Sequence, residues 1–166
     1  MLHKRPGDKN VYLKVGALVQ KRGELLLIKE RSNWKKKYLW NTIKGSFEGG
    51  KDKTIMAAVA REAWEEARVK IKITHLQSVS HAYQYQKTFI QFNFVAELVS
   101  GDARLPLPKE QRLLDEDIVE VRWFSRKEVQ KLKARDMINN RAWVAVQDWL
   151  AGKRFPLVAI RELNKL

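Results

Sequence analysis

Glu62, Glu65 and Glu66 stand three and four residues apart in a run of good helix formers. On a helix advancing about 100° per residue, all three carboxylates fall within roughly 100° of arc, so they converge on one face. Like charges at that spacing repel by a few tenths of a kcal/mol per pair. A hard divalent cation, which prefers oxygen ligands, would offset the repulsion. Glu62 and Glu66 also project within roughly 60° of Ile55 and Val59, the residues expected to face a core, which aims them into a cleft. The same spacing admits a plain solvated helix in which Arg61 and Glu65 form an i,i+4 ion pair.

The element that must carry them is a helix from Thr54 to Ala67, free of Gly and Pro, with Asp52 or Thr54 as its N-cap. Before it, Val11–Val19 and Leu25–Ile28 read as two strands joined through Lys21-Arg22-Gly23-Glu24, a hairpin pattern. The basic, aromatic stretch from Lys29 to Trp40, leading into Gly45–Gly50, reads as a loop. After the helix, Val69–Thr74 alternates apolar and basic residues as a half-buried strand does, and Leu76–Tyr85 and Thr88–Val99 are further strands. Gly101–Gln111, with Pro106 and Pro108, reads as a loop, and Ile118–Phe124 as a short strand. Ser125 with Glu128 forms a capping box for another helix. Trp143, Val146, Trp149 and Leu150 lie at helical spacing in a C-terminal helix over about residues 140–151, stopped by Gly152. Strands flanking helices without regular alternation predict an α+β fold with a mixed sheet, in one domain spanning residues 1–166.

Lys and Arg outnumber Asp and Glu by 33 to 19, a formal charge of +14. Such a chain attracts anions in general, whether nucleotides, RNA or an anionic membrane, although scattered cations also serve simply as a solvated surface. The chain has no Cys, which excludes disulfides, thiolate nucleophiles and Cys-ligated zinc. The first fifteen residues lack the apolar core of a secretory signal, and no apolar run reaches the roughly 18 residues needed to span a bilayer. A soluble cytoplasmic protein without a membrane partner is expected. Composition says nothing of oligomeric state.

His3, His75 and His81 have no metal-ligand spacing and read as structural or exposed. Tyr83, Tyr85, Phe89, Phe92 and Phe94 could stack a base, but such residues also fill sheet cores.

Gly45-Ser46-Phe47-Glu48-Gly49-Gly50, followed by Arg61-Glu62-Ala63-Trp64-Glu65-Glu66, resembles the Nudix box, here residues 45–69. The likeness extends over roughly residues 11 to 130, through Val15–Glu30, Leu39-Trp40-Asn41 and Val121-Arg122-Trp123-Phe124. Two positions depart from the pattern. Gly45 lies about two residues too far ahead of Arg61, with Lys53 where the first Glu belongs, and Arg68 replaces the closing Gly.

The resemblance implies a Nudix-type α/β/α sandwich with Mg²⁺, or Mn²⁺, held by Glu62, Glu65 and Glu66. It implies Glu65 or Glu66 as a base and Arg61 as the residue that orients a glutamate. Lys44 and Gly45 become candidates for touching substrate. A further acid is sought in Glu116 and Glu120, with Glu120 counted in the catalytic set. The expected reaction is Mg²⁺-dependent hydrolysis of a nucleoside diphosphate linked to another moiety. The alternatives are a catalytically weakened Nudix-fold module binding nucleotide or RNA, and an RNA 5′-end pyrophosphohydrolase that uses the basic surface.

Overall fold

The structure, a computed structural model, describes residues 11–84 and 86–163; His3 and Tyr85 lie outside them. The chain begins with β1 (Val11–Lys21) and β2 (Glu24–Ser32). Arg22 and Gly23 between them both have positive φ, at 50° and 83°. That is the backbone a two-residue hairpin needs to match strand twist, and Gly supplies half of it without steric cost.

The hairpin holds only at its tip, where Gln20 pairs with Leu25 and Lys21 with Glu24. Beyond that β1 and β2 part. β4 (Ile43–Ser46) pairs antiparallel with β1, Lys14 facing Ser46 and Gly16 facing Lys44. β3 (Lys37–Asn41) and β7 (Ile118–Phe124) both pair with β2. β6 (Lys87–Ser100) runs parallel to β1 from Val11↔Thr88 to Gln20↔Glu97, and β5 (Lys70–Gln84) runs antiparallel to β6. The seven strands form one mixed sheet with the path β3-β2-β1-β6-β5.

Alternation along the strands sorts two cores. Leu26 and Ile28 of β2, with Val15 and Ala17 of β1, pack against Ala58, Val59, Ala63 and Ala67 of helix α1 (Ile55–Ala67). Leu25, Leu27 and Leu18 pack on the other face with Ala142, Ala145, Val146 and Trp149 of the C-terminal helix, Asn140–Leu150. The expected α/β/α sandwich follows, and the Trp143 and Trp149 stripe belongs to its second core.

Thr54 caps α1 by accepting from the Ala57 N–H at 3.0 Å. The helix ends at Arg68, whose φ of 60° and ψ of 31° place a non-glycine residue in the left-handed conformation. Its side chain is anchored by Glu110 at 2.5 Å and lies over the Trp64 ring. These contacts offset the roughly 1 kcal/mol such a backbone costs a residue with a Cβ.

Three sequence expectations change. The stretch from Lys29 to Gly50 contains the end of β2 and two short strands, because an edge strand of only five residues, Lys37–Asn41, is held by its ladder to β2 and is too short to show an alternation of its own. Val69–Thr74 and Leu76–Tyr85 form one strand over its described length, Lys70–Gln84; ladder irregularities at Ile73/His75 and Leu76/Ser78 disrupted the period-2 pattern. Within the expected Gly101–Gln111 loop a helix, α2 (Pro108–Leu114), begins at Pro108, since Pro at the first helical position gives up no hydrogen bond. A short helix α3 (Arg126–Lys131) starts at the Ser125–Glu128 capping box, and Asn140–Leu150 becomes α4. Among the described residues no helix is long and apolar enough to cross a membrane.

Candidate active site

The parting of β1 from β2 leaves room at the end of the sheet, and there α1 presents its acidic face. Gly45 of β4 lies directly beneath Glu62. The backbone N–H of Lys44 donates to Glu66 Oε2 at 2.9 Å, so strand and helix are joined through a buried carboxylate.

Arg61 organises the entrance. Its Nε and Nη2 donate to Asp52 at 2.9 and 3.0 Å. Its Nη1 donates to Glu62 at 2.8 Å and Glu65 at 2.7 Å, and Nη2 also reaches the Ser46 carbonyl at 2.9 Å. These contacts account for every N–H a guanidinium offers. Arg61 thus ties the loop before α1, the end of β4 and two helix glutamates into one unit, and none of its donors is left for a substrate. Hydrogen bonding to Arg61 holds the Asp52 carboxyl below its ordinary pKa, against the effect of burial. Asp52 stands one residue ahead of Lys53, the departure from the family's box, and supplies a carboxylate to the same arginine.

Deeper in, Glu30, Glu66 and Glu116 bring carboxylate oxygens within 4.8 Å of one another. Glu66 is fully buried, and its Oε1 has no hydrogen-bond partner among the described residues. Among the described residues one ammonium pairs with the group: Lys44 Nζ lies 3.3 Å from Glu30 and 3.7 Å from Glu66. Glu30 also accepts from the Asn41 side chain. Burial opposes the charged form of Lys44, but Glu66 and Glu30 outweigh it and raise its pKa. Burial pushes Glu66 well above the usual carboxylate range, only partly countered by Lys44. Burial raises Glu116 as well, and lifts Glu62 to about 7 against the pull of Arg61. Three acids around one lysine, with an orphan oxygen at the centre, fit a hard divalent cation.

Six of the residues anticipated from sequence line one cavity of about 310 Å³: Lys44, Gly45, Arg61, Glu62, Glu65 and Glu116. Glu66 lies behind them, reaching Lys44 through backbone and side chain. Glu120 is elsewhere. It faces Lys29 across the β2–β7 ladder, 3.9 Å from its ammonium, with a side chain 42% exposed. Glu116, in the turn between α2 and β7, is the acid that meets Glu66. His75 and His81 lie on β5, outside the carboxylate group. Phe94 is core, Phe89 stacks on Tyr12, and Tyr83 is exposed.

Sequence reasoning missed Glu30, Asn41 and the second role of Asp52. Glu30 had a signal: it continues the inward set Leu26, Ile28 along β2, where a charge is out of place unless something pairs with it.

A NUDIX domain family model matches residues 13–147. Over 154 residues the chain is 30% identical to a protein called Phosphatase NudJ from Shigella boydii serotype 4, covering 92% of each chain. It is 29% identical over the same length to Phosphatase NudJ of Escherichia coli K12, again covering 92% of each. Its fold matches a NUDIX hydrolase from Nitrosomonas europaea at a TM-score of 0.75 and 24% identity, covering 93% of this chain and 99% of that one. It also matches the NUDIX domain of Shewanella oneidensis NrtR complexed with ADP ribose, at a TM-score of 0.64 and 14% identity over 87% and 89% of the two chains. The chain belongs to the Nudix family, and its class is that of the Nudix pyrophosphohydrolases.

Proposed function

We propose that the protein hydrolyses the phosphoric anhydride of a nucleoside diphosphate linked to another moiety, with Mg²⁺ or Mn²⁺ as cofactor. The observation that carries this reading is Glu66: a fully buried carboxylate, beside Glu30 and Glu116, with an unpartnered oxygen. Among the described residues that oxygen accepts no hydrogen bond, and its nearest cation, the Lys44 ammonium, stands 3.7 Å away. A bound cation would satisfy it.

Glu30, Glu66 and Glu116 would hold the ion, with Glu62 and Glu65 beside them on the same helix. When bound, such an ion would neutralise negative charge on the diphosphate and make bound water more acidic. Lys44 balances part of the charge of the carboxylates when they are ionised, keeping them close together. Arg61 fixes the rotamers of Glu62 and Glu65 and binds no substrate itself. Glu65, which lines the cavity, would accept a proton from attacking water. The ADP-ribose held by the Shewanella relative is a diphosphate of this general kind.

The test is a substrate panel of nucleotide sugars, dinucleoside polyphosphates, nucleoside triphosphates and 5′-triphosphorylated RNA, assayed with Mg²⁺, Mn²⁺ or EDTA. Turnover of a diphosphate-linked nucleoside that EDTA abolishes is expected, with Glu66→Gln losing at least about a hundredfold in kcat at unchanged circular dichroism. Full activity in Glu66→Gln overturns the assignment. Preference for the RNA over every free nucleotide moves it to the RNA end.

A further inference from the structure

Two cations that share the cavity with Glu62 and Glu65 form no ion pair among the described residues. Lys14, on β1, donates from its ammonium to the neutral Ser46 hydroxyl at 2.7 Å. Arg141, in the first turn of α4, has a buried Nη1 without any hydrogen-bond partner. Both line the cavity that Glu62, Glu65 and Glu116 line, yet neither forms an ion pair with them.

Their placement works against the free protein. A cation in the first turn of a helix opposes the helix dipole, and α4 has no acidic residue there to compensate. Burial together with Lys44 and Arg141 lowers the pKa of Lys14 against the longer-range pull of Glu62 and Glu116, and burial lowers that of Arg141. Two like charges and a helix N-terminus converge on one wall, and a guanidinium N–H is aimed at nothing. The fold nevertheless holds Arg141 in place: its guanidinium lies 5.1 Å from the centre of the Phe89 ring, which is itself stacked on Tyr12 at 5.3 Å. Register puts Tyr12 opposite Phe89 and Lys14 opposite Gln91, so the platform and the lysine share one face of the sheet. Two cations held at one cavity without a direct ion pair are what an anion site looks like before its anion arrives.

We propose that Lys14 and Arg141 form a phosphate subsite that binds one phosphate of the substrate independently of the divalent ion, in the cavity the carboxylates also line. The inference rests on the proposed reading only in that the ligand is a phosphate compound; it does not require turnover. Arg141 fits phosphate oxygens with a planar fork, and Lys14 adds a point charge beside it. A diphosphate would thereby meet these cations as well as any ion that the carboxylates hold.

The decisive measurement is calorimetric titration of inorganic phosphate into the metal-free protein in EDTA. Binding is expected, weakened about tenfold or more in Arg141→Met and in Lys14→Met, and partly recovered in Arg141→Lys. Absence of binding to the wild type, or affinity unchanged in both Met variants, overturns the proposal. With a hydrolysed substrate and Mg²⁺, Arg141→Met is expected to raise KM about tenfold and to keep kcat within about threefold. An equal loss in kcat at unaltered KM contradicts it. If the wild type hydrolyses no diphosphate, the functional reading fails while the phosphate titration still decides the subsite.

Discussion

The Glu62 carboxyl group occupies the space where a side chain on Gly45 would begin: a Cβ there would come 1.9 Å from Glu62 Cδ. The φ of Gly45 is not in the positive range, so the requirement is room rather than backbone freedom. Gly45→Ala is expected to displace Glu62 from Arg61, costing about 1–3 kcal/mol of stability and most of the activity. Denaturant midpoints and kcat measured together check this, and an alanine variant of wild-type activity would show that Glu62 does not need that position.

Asp52 does for Arg61 what the exposed Lys53 cannot. Breaking a pair this buried leaves part of the guanidinium uncompensated, so Asp52→Asn is expected to lose about 3 kcal/mol, whereas Lys53→Ala changes stability by less than about 0.5 kcal/mol. Because the Asp52 pKa is lowered in the fold, its contribution is present above the ordinary value of 3.8 and fades as pH falls through the folded pKa. Urea unfolding of the two variants at neutral and acid pH distinguishes them. Equal effects of the two substitutions are the losing outcome.

The two candidate outer acids separate by position. Glu116→Gln is expected to reduce kcat at least tenfold, on the order of a lost cation ligand or proton acceptor, and Glu120→Gln by less than about twofold. Steady-state kinetics on one substrate suffice. Were Glu120 the more sensitive of the pair, the carboxylate group formed with Glu30 and Glu66 would not be the working one.

Metal-free stability should fall with rising pH. Glu62, at about 7, and Glu66, well above its ordinary value of 4.5, are both raised chiefly by burial. Above pH 4.5 the unfolded chain releases protons that the fold still holds, so the unfolded state binds fewer protons and stability declines. Glu62 alone accounts for roughly 3 kcal/mol once pH exceeds 7. A divalent cation at a hundred times its Kd restores about 2.7 kcal/mol. Melting temperatures in EDTA across pH 4–8, with and without added Mg²⁺, read this out, and Glu66→Gln should flatten the EDTA curve. A Tm in EDTA that rises over that range contradicts the burial of these acids.

The sequence by itself determined α1 and the convergence of Glu62, Glu65 and Glu66, because helical spacing is a local property that no distant residue alters. It also determined the Ser125–Glu128 cap, the C-terminal amphipathic helix and the hairpin joined through Lys21-Arg22-Gly23-Glu24, each written in adjacent residues. What only the tertiary structure decided was which distant acids join the helix. Glu30 and Glu116 reach Glu66 from β2 and from the turn before β7 because β1 and β2 part after two pairs and β4 closes on β1. Glu120, four residues from Glu116, lies on β7 facing Lys29 instead. The roles of Asp52, Lys14 and Arg141 were hidden for the same reason. A side chain's charge is written in the sequence, but its missing or satisfied counterion is set by which strands and helices end side by side.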